Sequence, residues 1–73
     1  MNLAKEIRER REAAGMSRFA LAVALKEAGT KVHPSTIQNW EIGRSEPHYS
    51  ELIALRAVLG IRFNGGEKAK ALD

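Results

Sequence analysis

The chain has 73 residues, 12 Lys and Arg against nine Asp and Glu, and a formal net charge of +3 at neutral pH. A chain of this length buries only about 60% of the surface it exposes when unfolded, so it has one small core and no room for a second domain. It contains no cysteine, which excludes disulfide staples, thiolate metal sites and a cysteine nucleophile, and fits a reducing cytoplasm.

The surplus of positive charge is a mild bias toward polyanionic partners. The longest apolar run, Phe19 to Leu25, is far short of the ~20 residues that span a bilayer. The N-terminus lacks the apolar stretch of a signal peptide. These features predict a soluble, cytoplasmic protein with no membrane partner.

Residues 2 to 14 place Leu3, Ile7 and Ala14 at helical spacing among charged residues, the pattern of an amphipathic first helix that Gly15 is positioned to end. Arg11 follows Ile7 by four residues and so falls on the apolar stripe, where a charge is costly unless paired. Ser17 is a good N-cap for a second helix over Arg18 to Ala28, with Leu21, Ala22 and Leu25 on one face and Gly29 at the C-cap position. Phe19 and Val23 form another apolar pair, rotated away from that face. After the loop Gly29-Thr30-Lys31, Pro34 suits the first turn of a third helix, residues 34–42, because its missing N–H has no helical partner there in any case. Gly43 ends it. Arg44 to His48 read as a turn, and a fourth helix follows with Leu52, Leu55 and Leu59 before Gly60 and with Tyr49 packing at its start. Beyond Ile61 the composition suggests fraying. The pattern divides the chain into an all-α domain, 1–61, and a tail, 62–73; only Gly60 to Asn64 admits a strand reading.

On the third helix Ile37, Trp40 and Glu41 share a face, while Ser35, Gln38 and Asn39 point elsewhere. The first helix thus offers an inward cation at Arg11 and the third an inward anion at Glu41, and pairing between them across the core is the economical solution. On the outward side, Gln and Asn both give and accept hydrogen bonds, as adenine recognition in the major groove requires, and Ser serves several bases. From residue types alone, a base-reading face and a solvated polar face both remain open. His33 and His48 have no companion cysteine or carboxylate set for a metal and read as caps or surface groups. Trp40, at helical spacing with Ile37, reads as core. No nucleophile arrangement, cofactor signature or small-molecule site is evident, and an enzyme is not expected.

The segments IRERREAAGMS, the Leu21-Ala22 pair, STIQNWEIGR and EPHYSELIALRAVLGI together resemble the Cro/CI-type helix-turn-helix family, also called the xenobiotic-response-element or lambda-repressor-like family, from about Leu3 to Ile61. The resemblance implies a compact four- to five-helix domain in which helix three lies in the major groove and a homodimer reads two half-sites of a double-stranded operator about 34 Å apart. It implies base contacts from Ser35 and Asn39, with Gln38 beside them. Pro34 stands at a position where many relatives carry a polar reader. It implies phosphate contacts from Arg18 and its N-cap neighbour Ser17 at the start of helix two, and from Arg44 and Ser45 beyond Gly43. An ion pair at Arg11 and Glu41 agrees with the faces.

Three departures from the family pattern stand out. The connection between helices two and three is longer than usual, so KEAGTKV is expected to lengthen helix two and carry Lys26 or Lys31 toward the DNA backbone. Phe19 and Val23, at positions usually polar, are expected to pack under that longer connection. The residues after Ile61 lack a fifth-helix pattern, and Arg62-Phe63-Asn64 are placed to pair across a two-fold axis. The reading that follows is a sequence-specific transcriptional regulator, most like a small phage Cro-type repressor. The alternative is an antitoxin or other protein-interaction module with secondary DNA binding.

Overall fold

A computed structural model describes residues 2–61, which form α1 (Leu3–Ala13), α2 (Arg18–Glu27), α3 (Pro34–Glu41) and α4 (Tyr49–Leu59). There is no strand among the described residues. The Arg62-Phe63-Asn64 segment, the rest of the 62–73 tail and any fifth helix lie outside them. α3 and α4 each pack against both α1 and α2. The core joins all four through Ile7, Leu21, Ala22, Leu25, Ile37, Trp40, Ala54, Leu55 and Leu59, and is closed by Ile61. Each large side chain buried there contributes about 1.5–3 kcal/mol relative to an exposed one.

The helix starts follow from local chemistry. The Asn2 side chain accepts from the Lys5 N–H at 3.1 Å, and Ser17 Oγ accepts from Ala20 N–H at 2.9 Å, so α1 and α2 each satisfy an otherwise orphaned donor. At α4 the Glu51 side chain reaches back to the His48 N–H at 2.6 Å. α3 is capped by an imidazole: His33 Nδ1 accepts from the Ser35 N–H at 3.1 Å, with Pro34 in the first turn. Both histidines therefore serve as N-caps.

The end of α3 is equally determined. Gly43, at φ 79°, donates to Trp40 O at 3.2 Å, and Arg44 N–H donates to Asn39 O at 2.9 Å. This is a Schellman closure, in which the left-handed residue must be one without a Cβ to avoid strain. It turns the chain sharply away after Ile42 and starts Arg44 from a fixed backbone position. α1 closes in the same way at Gly15, with Met16 N–H on Arg11 O at 3.1 Å.

Three packing expectations require correction. Ala14 is the C-cap of α1 and is exposed. Tyr49 is 76% exposed: Leu55 and Leu59 set the inward face of α4, and Tyr49 lies with Ile53 and Ala57 on the opposite side. Phe19 is 68% and Val23 41% exposed, so the α2–α3 connection does not cover them. The reason is axial distance. Phe19 stands in the first turn of α2, whereas the connection leaves after Glu27, eight residues or about 12 Å further along the helix.

Candidate nucleic-acid interface

The eight residues of α3 divide into two faces. Ile37 and Trp40 are buried at 0% and 2% exposure, and Trp40 is core as expected. Ser35 and Gln38 are exposed, and Asn39 is half-buried beside them. Pro34 is half-buried in the first turn. The outward surface is thus short, polar and uncharged. Ser35 Oγ lies 2.9 Å from His33 Nδ1, the nitrogen that also accepts the Ser35 N–H. Acceptance at Nδ1 places the ring proton of neutral His33 on Nε2. The Ser35 hydroxyl donates toward that nitrogen, which leaves its lone pairs free as acceptors on the surface.

The face turned inward carries the ion pair expected from helical spacing, with an additional member. Arg11 Nε donates to Glu41 Oε2 at 2.7 Å and Arg11 Nη2 to Glu41 Oε1 at 3.3 Å. Arg11 Nη1 donates to Met16 O at 2.8 Å. Arg18 Nε joins at 3.0 Å on Glu41 Oε1. The Glu41 side chain is 1% exposed, Arg11 9% and Arg18 39%. One buried carboxylate at the end of α3 therefore ties α1 to the first residue of α2, while Arg11 itself also holds the turn after α1. The hydrogen bond from Glu41 raises the Arg11 pKa above its ordinary value, with the charges of Glu41 and Glu12 adding and desolvation opposing. Arg11 therefore stays charged at neutral pH. Its stabilising contribution is lost only as pH rises through that raised value.

Arg18, for which the family resemblance implies a phosphate contact, also has this structural partner. One edge of its guanidinium is fixed by Glu41, and the side chain remains more than a third exposed. The Arg18–Glu41 contact was not foreseen, because Arg18 lies outside the apolar stripe of α2 and a single-helix pattern does not reveal which neighbour it meets. Ser17 is exposed and its hydroxyl is used as the α2 cap. Lys31 is exposed three residues before Pro34, and Arg44 and Ser45 are exposed just after α3. Lys26 is exposed in the last turn of α2. Among the described residues Lys26, Lys31 and Arg44 form no ion pair, whereas the exposed cations Lys5, Arg8 and Arg10 of α1 each meet a glutamate one turn away. Unpaired cations thus stand near both ends of the polar α3 face.

A helix-turn-helix family model matches residues 7–65. The chain belongs to the Cro/CI-type helix-turn-helix family. It is a DNA-binding domain of a transcription regulator, and the family is not one of enzymes. Searches of curated proteins and of solved structures return no match. Within this helix-turn-helix domain α2 and α3 are the two helices of the motif, joined by residues 28–33. No described helix is long and apolar enough to cross a membrane. The domain contains one surface feature that spacing alone missed. Ile42, the C-cap residue of α3, is 61% exposed, and its position at the junction of helix and turn concealed which way it faces.

Proposed function

We propose that this domain is a sequence-specific repressor of the small phage Cro type, which lays α3 in the major groove of double-stranded DNA. The observation that carries this reading is the uncharged outward face of α3, with Ser35 and Gln38 exposed and Asn39 half-buried, set between exposed cations that no carboxylate neutralises among the described residues. Short hydrogen-bonding groups suit base edges, and unpaired Lys and Arg suit phosphates. Ser35, Gln38 and Asn39 are assigned to bases. Pro34 occupies the first reading position and contributes shape and helix initiation only. Arg18, Arg44, Ser45, Lys31 and Ser17 are assigned to the backbone, with Arg11 and Glu41 holding α3 in place from behind. A homodimer on DNA presents two copies of α3 to half-sites about 34 Å apart.

Selection of bound duplexes from a random pool, with light scattering of the complex, tests this reading. The expected result is a two-fold symmetric consensus bound by two chains. A pool that returns no consensus overturns it.

The exposure of Phe19 and Val23 favours a second reading, in which α2 binds a protein partner and DNA binding is secondary, as in an antitoxin. A small protein that co-purifies with the chain and is released by Phe19→Ser would support that alternative.

A further inference from the structure

We propose that Ile42 is a specificity-determining residue that recognises the 5-methyl group of a thymine. The inference rests on the assignment of α3 as the groove-facing helix and adds a contact of a different chemistry to it.

Exposure of an isoleucine is not by itself informative, since single apolar residues are common on protein surfaces. The position is. At 3.6 residues per turn, Gln38, Ile42, Ser35 and Asn39 fall within an arc of about 100°, with Ile42 about 20° from Ser35 and inside the span of the polar residues. Ile37 and Trp40, both buried, lie on the opposite side. Ile42 is thus an apolar residue set in the middle of a polar face, 61% exposed and outside the hydrophobic core. Gly43 then turns the chain through the Schellman closure, so Ile42 is the last residue that shares this face before Arg44.

The dimensions match the groove. Seven residues separate Ser35 from Ile42, a rise of about 10 Å along the helix, comparable with three base-pair steps of about 3.4 Å. Polar readers occupy the span as far as Asn39, about 6 Å along it, and a branched hydrocarbon stands at its end. In the major groove the edges of guanine, cytosine and adenine present hydrogen-bonding groups, and thymine alone adds a methyl. A side chain with no donor or acceptor gains from burial against that methyl and leaves polar base edges poorly solvated elsewhere.

The test uses the full chain and the duplex selected from a random pool. Each thymine of a half-site is replaced in turn by deoxyuridine, which removes only the methyl, and dissociation constants are measured for wild type, Ile42→Val and Ile42→Ala, with thermal melts of the free proteins alongside. The expected result is one thymine whose replacement weakens wild type about three- to fivefold, the worth of one buried methyl, weakens Ile42→Val less, and leaves Ile42→Ala unchanged. Melting temperatures should be the same for all three. Equal losses for wild type and Ile42→Ala at every thymine overturn the inference, as does a half-site without thymine. Asn39→Ala separates this failure from that of the underlying assignment. If it alters base preference while deoxyuridine losses are independent of Ile42, only the thymine contact is wrong. If it leaves base preference unchanged, α3 is not the reading helix and both fall.

Discussion

The first turns of α1 and α4 each contain a glutamate, Glu6 and Glu51, whereas those of α2 and α3 contain no acidic residue. Backbone dipoles make the N-terminal end of every helix favourable for an anion. The two helices outside the motif supply that anion from their own sequence. The two helices of the motif do not, and α2 even begins with Arg18. The surface charges show the same contrast: the exposed cations at 5, 8 and 10 on α1 are matched with glutamates at i±4, while Lys26, Lys31 and Arg44 have no such partner among the described residues. Arg56 of α4 is also exposed without an ion pair among the described residues, but the cations of α1 are matched within their own helix, whereas those flanking α3 are left to be completed from outside. A positively charged protein need not be distributed this way, so the arrangement says more about a polyanionic partner than the net charge of +3 does.

The contrast can be broken most severely at the joint between α1 and the motif helices. Glu41→Ala leaves the buried Arg11 with only the exposed Glu12 carboxylate, 3.8 Å away, as a counter-charge, and loss of one partner from a buried pair costs about 3–5 kcal/mol. Urea denaturation should show a domain unfolded or nearly so, since stability on this scale is close to all that a chain of this size has. Arg18→Ala should cost under about 1 kcal/mol, because Arg18 is more exposed and Glu41 keeps Arg11. A double-mutant cycle between positions 11 and 41 that shows no coupling would remove the joint from the account.

Next in size are the effects on DNA. Asn39→Ala should reduce discrimination at one base position by about 1–3 kcal/mol while binding to random DNA is preserved. Arg18→Ala should weaken binding to all sequences alike and lower the slope of affinity against salt by about one. Titrations at several salt concentrations distinguish the two, and a uniform loss for Asn39→Ala would contradict its role in reading bases.

Smaller again are the caps. His33→Ala should destabilise α3 by about 1 kcal/mol, measured as a shift in the denaturation midpoint. If the loss appears on DNA but not in stability, the imidazole serves chiefly to hold the Ser35 hydroxyl. The smallest effect should come from the matched charges of α1: Glu9→Ala removes an ion pair at 3.9 Å between side chains that are both more than half exposed. Its effect on stability should be at most about 0.5 kcal/mol.

Much of this organisation is legible in the sequence because α-helical periodicity ties spacing to facing. Leu21, Leu25, Ile37 and Trp40 are core as their spacing requires. The Arg11–Glu41 pair follows from two inward charges of opposite sign, since neither can be buried alone. The glycines that close α1 and α3 are positioned where left-handed residues end helices. What remained hidden depends on neighbours in space. Tyr49, Phe19 and Val23 carry the apolar character of core residues, yet none of the four described helices covers them. Arg18 looks like a free surface cation until α3 brings Glu41 against it. His33 reads as a turn residue, and only the geometry of the first turn reveals that its ring holds both the Ser35 amide and hydroxyl. Ile42 sits at a helix terminus, where a one-residue error in the boundary changes the face to which a side chain is assigned.

The separation of α3 into two faces also has a consequence for how such a protein changes over generations. Ile37, Trp40 and Glu41 bear the mechanical duty of the helix, and substitutions there are filtered by folding. Ser35, Gln38 and Ile42 are exposed and contribute little to that duty, so under the function proposed above substitutions at those positions are filtered by target sequence alone. A lineage can therefore move from one operator to another by single steps, each of which leaves a folded domain, and two copies of the gene can diverge in what they recognise long before they diverge in how they are built.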